Sequence, residues 1–222
     1  MKRLIKAYNE ALLDTDRERA LQVVQQALNQ GKVSAEDMLF KMVIPSISQS
    51  LETVGVTYGA SLAQYLMASQ IGAEITDVLV ARFENLPESA GCVVIGTAAG
   101  DFHGLGKRIV CGCLKVMMIQ AVDLGLSVSA EQFVAEAIKN NAQVIGISAM
   151  MVHTARSVNG CLRVRKLLQE KGLEDKIKII VGGAPFRYDP ELYKTVQADA
   201  WAENGLEAGS VITNLIREVR QQ

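Results

Sequence analysis

The stretch Gly100-Asp101-Phe102-His103-Gly104-Leu105-Gly106-Lys107 decides how the chain is organised. It follows the apolar run 92–96, which predicts a strand, and it precedes the run 109–117, which predicts a helix. The histidine at this turn has the features of a metal ligand, because an imidazole binds a metal through one neutral nitrogen. Asp101 is placed to accept the N–H of the other ring nitrogen of His103 and so to fix the tautomer.

Glycines around this histidine indicate a large ligand, and their spacing excludes two phosphate-binding motifs. Gly100, Gly104 and Gly106 allow positive φ angles and close approach of the backbone where a Cβ would collide with a bulky group. A P-loop requires Ser or Thr after Gly-Lys, whereas Arg108 stands there. The dinucleotide fingerprint Gly-x-Gly-x-x-Gly fails because its last position is Ile109.

The composition is that of a globular α or α/β protein. Of the 222 residues, 49% are hydrophobic and 5% are aromatic, so a sizeable core is available. The formal net charge of −1 gives no reason to expect nucleic acid as a partner. No apolar run approaches the roughly 20 residues that cross a bilayer, and no leader pattern follows Met1, so we expect a cytoplasmic protein with no membrane partner.

Four cysteines, at positions 92, 111, 113 and 161, form no Cys-x-x-Cys pair. We expect small, buried, reduced side chains. The alternative is a redox pair of Cys111 and Cys113, which helical spacing disfavours because residues i and i+2 point apart.

The first 84 residues predict an antiparallel helical bundle with short loops. Apolar residues recur at helical spacing over 4–28, with a break at 14–16, and Gly31 ends the second helix. Ser34 and Asp37 resemble a capping box that opens the next helix.

Further along the bundle, Pro45 kinks or restarts this helix, 55–59 predicts a turn, and a long helix covers 61–83. The polar segment 84–89 contains a proline and leads into the first strand. It predicts the domain boundary, which gives a helical domain at 1–84 and an α/β domain at 90–222.

After this boundary strands and helices alternate. The predicted strands are 92–96, 119–124, 144–148, 177–181 and 198–202. Ser129 with Gln132 resembles a capping box, and Asp189 before Pro190 resembles a helix N-cap. The repetition predicts a doubly wound parallel sheet of five strands in the flavodoxin-like (Rossmann-like) order 2-1-3-4-5. Ligands of such sheets bind at the carboxyl ends of the strands where the order reverses, which is where His103 lies.

The central stretch resembles the Asp-x-His-x-x-Gly signature of cobalamin-binding domains, with Asp101, His103 and Gly106 in the matching positions. The longer string 96–107 is similar to the small corrinoid proteins of methyltransferase systems, relatives of the cobalamin module of methionine synthase. The resemblance implies a corrinoid cofactor, cobalamin or a relative, bound base-off with His103 as the lower ligand of the cobalt. The alternative for an isolated Asp-x-His is a loop histidine in a local hydrogen bond.

Loops after the later strands extend the resemblance. Ser148-Ala149-Met150 and Gly182-Gly183 match the family elements that line the channel for the nucleotide tail, with Met150 replacing a leucine. Thr154 matches a hydroxyl that bonds the aspartate and completes a relay, which would couple proton uptake to loss of the cobalt–histidine bond. The segment 201–205, ending in Gly205, matches the part that closes over the tail.

The residues that the resemblance brings to the cofactor form one set. It comprises Gly100, Asp101, Phe102, His103, Gly104, Leu105, Gly106, Ile109, Ser148, Met150, Val152, Thr154, Gly182, Gly183 and Gly205. Asp101, His103 and Thr154 are its chemically active members.

Three points of this match leave alternatives open. The second strand is usually preceded by a turn glycine, where this chain has Met117-Met118. The only other histidine, His153, is a competing ligand or, alternatively, a helix-start or surface residue. The bundle resembles the cap over the upper face of the corrin, and Leu62, Leu66 and Met67 are candidates to approach the methyl group or are ordinary bundle core.

The function implied is that of a methyl carrier, non-catalytic on its own. A substrate:corrinoid methyltransferase would place the methyl group on Co(I), and a second methyltransferase would move it from methyl-Co(III) to a thiol or a pterin. A reductive activation protein is a further implied partner. The alternatives are a cobalamin sensor that controls a partner, a detached mutase-type subunit and a flavodoxin-like domain without a corrinoid.

Overall fold

The computed structural model describes residues 1–47, 62–83 and 91–221. The chain divides into two compact units. One comprises Met1–Glu88 with Lys115–Met117, and the other comprises Ser89–Leu114 with Met118–Gln222. The predicted turn at 55–59 and the predicted boundary at 84–89 lie outside the described residues, so the domain limits 1–84 and 90–222 stay a proposal.

The first unit is helical over its described part, as the sequence predicts. Its helices are α1 (Lys2–Leu13), α2 (Arg17–Gln30), α3 (Ala35–Met38) and α4 (Leu62–Val80). The break at 14–16 is confirmed: Asp16 caps α2 by accepting the Arg19 N–H, and Gly31 ends it in the left-handed conformation. Ser34 accepts the Asp37 N–H, which confirms it as the N-cap of α3.

A π-helical turn over Leu39–Val43 separates α3 from the helical residues 44–47. It buries Leu39, Met42 and Val43. Pro45, two residues later, has no N–H to donate to the i−4 carbonyl, so the regular α-helical pattern is interrupted here. The sequence predicted this interruption but gave no sign that it takes the form of a wide turn.

The second unit is a parallel sheet with helices between its strands. The strands are β1 (Cys92–Thr97), β2 (Gln120–Asp123), β3 (Val144–Ser148), β4 (Lys178–Gly182) and β5 (Ala200–Ala202). Their order is β2-β1-β3-β4-β5, which confirms the prediction. The helices are α5 (Leu105–Val116), α6 (Ala130–Lys139), α7 (Val152–Ala155), α8 (Cys161–Glu170), α9 (Ala184–Tyr188), α10 (Leu192–Thr195) and α11 (Gly205–Arg220).

Burial explains why the chain takes this form. All six residues of β1 are buried, and successive side chains of a strand point to opposite faces, so both faces of the sheet are covered. On one face, Val94 packs in a core cluster with Phe133 of α6 and Val164 of α8. Ser129 caps α6 by accepting the Gln132 N–H, as predicted.

Two local predictions are wrong. The helix predicted from residue 109 begins at Leu105, so Leu105, Gly106 and Lys107 lie in its first turn and not in a loop. Asp189 is not a helix N-cap: it ends α9, and its carboxylate accepts the N–H of Glu191, which itself precedes α10. An Asx turn of this kind uses the same Asp-Pro signal that opens helices.

Met118 accounts for the missing turn glycine before β2. It has a φ of 61°, the left-handed conformation that glycine adopts without steric cost. The turn is thus retained with a residue that adopts it at some expense. No helix within the described part of the chain is long and apolar enough to span a membrane.

Candidate functional site

The site lies at the carboxyl edge of the sheet, where three strands end side by side. Thr97 of β1 pairs in register with Ser148 of β3, and Ser148 pairs with Gly182 of β4. The ends of these strands and the segments that follow them carry most of the residues that the sequence singled out. The strand order reverses between β1 and β3, which is the usual position of a ligand in such sheets.

Asp101 is the hub of this site. Its Oδ1 lies 3.0 Å from both the backbone N and the ring Nδ1 of His103. Its Oδ2 accepts from the Met150 N–H at 2.8 Å, the Met151 N–H at 3.3 Å and the Thr154 hydroxyl at 2.8 Å. The side chain is fully buried, so both oxygens depend on these donors.

The donors keep Asp101 ionised. Burial raises the pKa of this carboxyl, but the hydrogen bonds from His103, Met150 and Thr154 outweigh it and lower the pKa to about 2. An ionised carboxylate only accepts hydrogen bonds, so Nδ1 of His103 carries the proton and Nε2 has the free lone pair. In the tautomer that this contact selects, the outer nitrogen Nε2 is the one that can bind a metal.

The imidazole of His103 is 56% exposed. Within the described residues, Nδ1 has its partner in Asp101, while Nε2 has none. No group of three or more His, Cys, Asp or Glu side chains in the described part of the chain could hold a metal ion. His103 offers one nitrogen, Nε2, as a ligand at this site.

Large apolar side chains stand exposed around this histidine. They are Phe102 and Leu105 after β1, Leu126 after β2, and Met150, Met151 and Val152 after β3. Phe102 and Leu126, with Gly104, Lys107 and Arg108, line a cavity of about 370 Å³. Apolar surface concentrated at one edge of a sheet indicates a face that is covered in the functional state.

The three glycines near His103 differ in their roles. Gly100 alone has a positive φ, 80°, in a turn closed by a hydrogen bond from the Asp101 N–H to the Ala98 carbonyl. Gly104 and Gly106 do not use the positive φ that glycine allows, because both have ordinary backbone angles. A Cβ on Gly104 would meet Leu126, whereas a Cβ on Gly106 would meet nothing within 4 Å and so would project into open space.

Contacts within the chain itself explain why glycines stand at positions 182 and 183. Gly183 has a φ of 113°, and a Cβ there would lie 2.0 Å from the carbonyl oxygen of Ala149. At Gly182 a Cβ would lie 3.3 Å from the carbonyl oxygen of Ala202. The fold thus requires Gly183 whether or not a cofactor tail lies beside it. Ser148 is half-buried, and its hydroxyl has no partner among the described residues.

The remaining predicted residues fall into three groups. Thr154, in α7, is buried and also lies 2.8 Å from the Met151 carbonyl, so two acceptors compete for its one proton. Ile109 is 4% exposed within the core, so its assignment to the cofactor rests on resemblance alone. Gly205 begins α11, and His153 is exposed at the surface of α7.

The candidate cap residues belong to the other unit. Leu66 and Met67 of α4 are partly buried, and the side chain of Leu62 lies outside the described set. None of the four cysteines forms a disulfide; Cys92, Cys113 and Cys161 are buried, as expected, and Cys111 is partly buried.

Sequence reasoning missed three contributors to the site. The amides of Met150 and Met151 bond Asp101, but a backbone N–H leaves no residue-type signal. Lys107 is buried and pairs with Asp123 at the end of β2, which ties the start of α5 to its neighbour strand. Lys107 and Asp123 are sixteen residues apart in the sequence, so their pairing can be recognised only when β2 is known to lie beside β1.

These features define a class of protein: an α/β domain that presents one carboxylate-held histidine among exposed apolar side chains at the carboxyl edge of its sheet. A corrinoid fits this description, since it supplies the equatorial ligands of its cobalt and leaves an axial position for a histidine. The exposed apolar side chains suit the lower face of the macrocycle. The unpartnered hydroxyl of Ser148 suits a polar tail.

Comparisons with known proteins agree with this class. Residues 91–209 match the B12 binding domain family. The dimethylamine corrinoid protein of Methanosarcina barkeri is 32% identical, with 92% of this chain and 93% of that protein covered. Trimethylamine corrinoid protein 1 of Methanosarcina acetivorans is 29% identical, over 94% and 95% of the two chains.

A solved structure shares the fold at lower identity. The methanol:cobalamin methyltransferase complex MtaBC from Methanosarcina barkeri matches with a TM-score of 0.75 and 22% identity, over 99% of this chain and 84% of that one. The chain belongs to the B12 binding domain family and, within it, to the corrinoid proteins of methyltransferase systems. Its cofactor is cobalamin or a related corrinoid.

Proposed function

We propose that the chain holds its corrinoid base-off, with Nε2 of His103 as the lower ligand, and carries a methyl group between two methyltransferases. The observation that carries the proposal is the exposed imidazole whose Nδ1 is fixed by a buried carboxylate at 3.0 Å. When bound, the cobalt supplies the methyl-transfer chemistry by alternating between Co(I) and a methylated Co(III) state.

The residues of the chain have separate tasks in this proposal. Asp101 makes His103 a stronger donor, because an ionised acceptor on Nδ1 raises the basicity of Nε2. Thr154 and the amides of Met150 and Met151 hold the Asp101 carboxylate in place. The hydrogen bonds to Asp101 hold its pKa at about 2, so the carboxylate stays an acceptor for Nδ1 of His103. The contacts from His103 through Asp101 to Thr154 would form the relay for a proton taken up when the histidine is released.

The remaining site residues bind and shield the cofactor. Phe102, Leu105, Met150 and Val152 would pack against the bound macrocycle and keep water away from Nε2 of His103. Gly106 leaves room for close approach, because its vicinity is open. Ser148, Gly182 at the end of β4, Gly183 directly after it and Gly205 at the start of α11 receive the nucleotide tail.

The partners we propose are a substrate:corrinoid methyltransferase, a methyl-corrinoid:acceptor methyltransferase that uses a thiol or a pterin, and a protein that restores the reduced cobalt. The relatives are named for dimethylamine and trimethylamine, and a structure with the same fold is a methanol-dependent complex. These names support a carrier role. Because they span amines and an alcohol, they do not assign the methyl donor.

A labelling experiment tests the carrier role. The cobalamin-loaded protein is reduced to Co(I), treated with one equivalent of ¹³C-methyl iodide and passed through a gel-filtration column. We expect one label per bound corrinoid to travel with the protein and to be released when a methyl-corrinoid:thiol methyltransferase and its thiol are added. A sensor does not need the Co(I) state. A protein that binds cobalamin whose cobalt cannot be reduced to Co(I) would therefore contradict the proposal.

A further inference from the structure

The turn that carries Asp101 is held by a second set of hydrogen bonds, from the segment after β2. The hydroxyl of Thr97 donates to the carbonyl oxygen of Asp101 at 2.6 Å and accepts the N–H of Ser127 at 2.7 Å. The hydroxyl of Ser127 accepts the N–H of Gly100 at 3.0 Å. We call these contacts the Thr97–Ser127 latch.

The latch holds the backbone of Asp101 and makes no contact with its carboxylate. The N–H of Asp101 bonds the Ala98 carbonyl at 2.9 Å, and its carbonyl oxygen also receives the Ser127 N–H at 3.0 Å. Every polar backbone atom of Asp101 is thereby paired. The side chain that orients His103 starts from a Cα whose position is fixed on both sides.

The conformation of Ser127 indicates that the latch is maintained at a cost. Its φ is 51°, in the left-handed region that residues with a Cβ rarely adopt. Thr97 is fully buried at the end of β1. If Thr97 lost its hydrogen bonds to Asp101 and Ser127, no water could take their place. Strained residues of this kind persist where the surrounding contacts over-determine them, and they cluster at functional sites.

We propose that Thr97 and Ser127 are positioning residues that set the balance between histidine-on and histidine-off forms of the bound Co(II) corrinoid. The inference rests on the proposed ligation by His103 and adds two residues to it. Without the latch, the turn around Gly100 and Asp101 can shift by a few tenths of an ångström. Nε2 then no longer lies at the place from which it ligates the cobalt.

Thr97→Val tests the role with little change of shape, because it removes both hydrogen-bonding functions of the hydroxyl. Thr97→Ser restores them and is the rescue variant. Thr213→Val is the matched control, since the bond that the Thr213 hydroxyl makes among the described residues is to the Gly209 carbonyl within α11. Ser127→Ala removes the acceptor for the Gly100 N–H from the other side of the latch.

The first measurement is the Co(II) EPR spectrum of each cobalamin-loaded variant at one pH, which reports the share with nitrogen splitting from a histidine. We expect Thr97→Val and Ser127→Ala to lower the ratio of the histidine-on to the histidine-off form roughly tenfold. Loss of a hydrogen-bonded group that orients a metal ligand has an effect of this size. Thr97→Ser and Thr213→Val keep the wild-type ratio. An unchanged ratio in Thr97→Val and Ser127→Ala overturns the proposal.

The second measurement needs no cofactor. In the apoprotein, amide hydrogen exchange of Gly100, Asp101 and Ser127 should accelerate about tenfold in Thr97→Val, while the amides of β3 exchange as before. Equal acceleration throughout the sheet would mean that the latch only stabilises the fold, which overturns the positioning role. If the wild-type protein itself lacks the nitrogen splitting, the proposed ligation fails and the inference fails with it. If the wild-type protein shows the nitrogen splitting and the latch variants show it to the same extent, the ligation by His103 stands and the role of the latch is rejected.

Discussion

Nδ1 of His103 and the backbone N of the same residue both lie 3.0 Å from Oδ1 of Asp101. One carboxylate oxygen thus fixes the ring and the main chain of the proposed ligand together. The other oxygen is held by the loop after β3. The orientation of the imidazole is therefore set by the apoprotein, so that little reorganisation is needed when a metal binds Nε2.

Asp101→Asn should weaken ligation more than cofactor binding. A neutral amide accepts less strongly than a carboxylate, and its NH₂ group opposes the amides of Met150 and Met151. We expect the Co(II)/Co(I) midpoint to rise by roughly 60 mV for each tenfold loss of ligation to Co(II). Redox titration of the loaded protein measures this. Asp16→Asn, which alters the N-cap of α2, is the control; an equal shift there, or no shift in Asp101→Asn, contradicts the assignment.

Acid stability reports the same carboxylate in the apoprotein. Because the pKa of Asp101 falls from 3.8 to about 2 on folding, the native state holds fewer protons than the unfolded chain between these values. Its contribution is complete above about pH 5 and is lost as the pH falls towards 2, which amounts to about 2 kcal/mol. Urea unfolding at several pH values should show a shallower acid slope in Asp101→Asn. Identical slopes in both proteins would show that the buried carboxylate is not held ionised.

Features of the site that depend on side-chain type and spacing can be predicted from the sequence, whereas features built from backbone atoms cannot. Buried apolar runs separated by helices specify the strand order, and the spacing of Asp101 and His103 specifies their hydrogen bond. The start of α5 at Leu105 could not be predicted, because Gly104 and Gly106 disfavour a helix. The helix nevertheless begins there in the folded protein. The amides of Met150 and Met151 and the conformation of Ser127 arise from tertiary contacts that no local pattern encodes.

Two glycine substitutions should have opposite effects on the apoprotein. Gly183→Ala places a Cβ 2.0 Å from the Ala149 carbonyl at a φ of 113°, and we expect it to lower the free energy of unfolding by at least about 3 kcal/mol. Gly106→Ala has open space and an ordinary helical position, so it should raise that free energy by up to about 1 kcal/mol. Urea titration compares the two. A Gly183→Ala protein as stable as wild type would refute the packing at the end of β4.

Ser148→Ala tests the proposed tail contact. The hydroxyl has no partner in the described part of the protein, so its removal should change the free energy of unfolding of the apoprotein by less than about 0.5 kcal/mol. If it bonds the nucleotide tail, cobalamin affinity should fall about threefold to tenfold. Equilibrium titration of apoprotein with cobalamin gives the dissociation constant. Unaltered affinity would remove Ser148 from the cofactor site.

The most direct test of the account is the EPR spectrum of the cobalamin-loaded protein, partially reduced to Co(II), with each of its two histidines replaced in turn. His103→Ala removes the proposed ligand, and His153→Ala removes an exposed histidine from the neighbouring helix α7. The account predicts a base-off Co(II) signal with nitrogen splitting in the wild type and in His153→Ala, and the same signal without this splitting in His103→Ala. Splitting that survives in His103→Ala, or that disappears in His153→Ala, would contradict the assignment of His103 as the lower ligand.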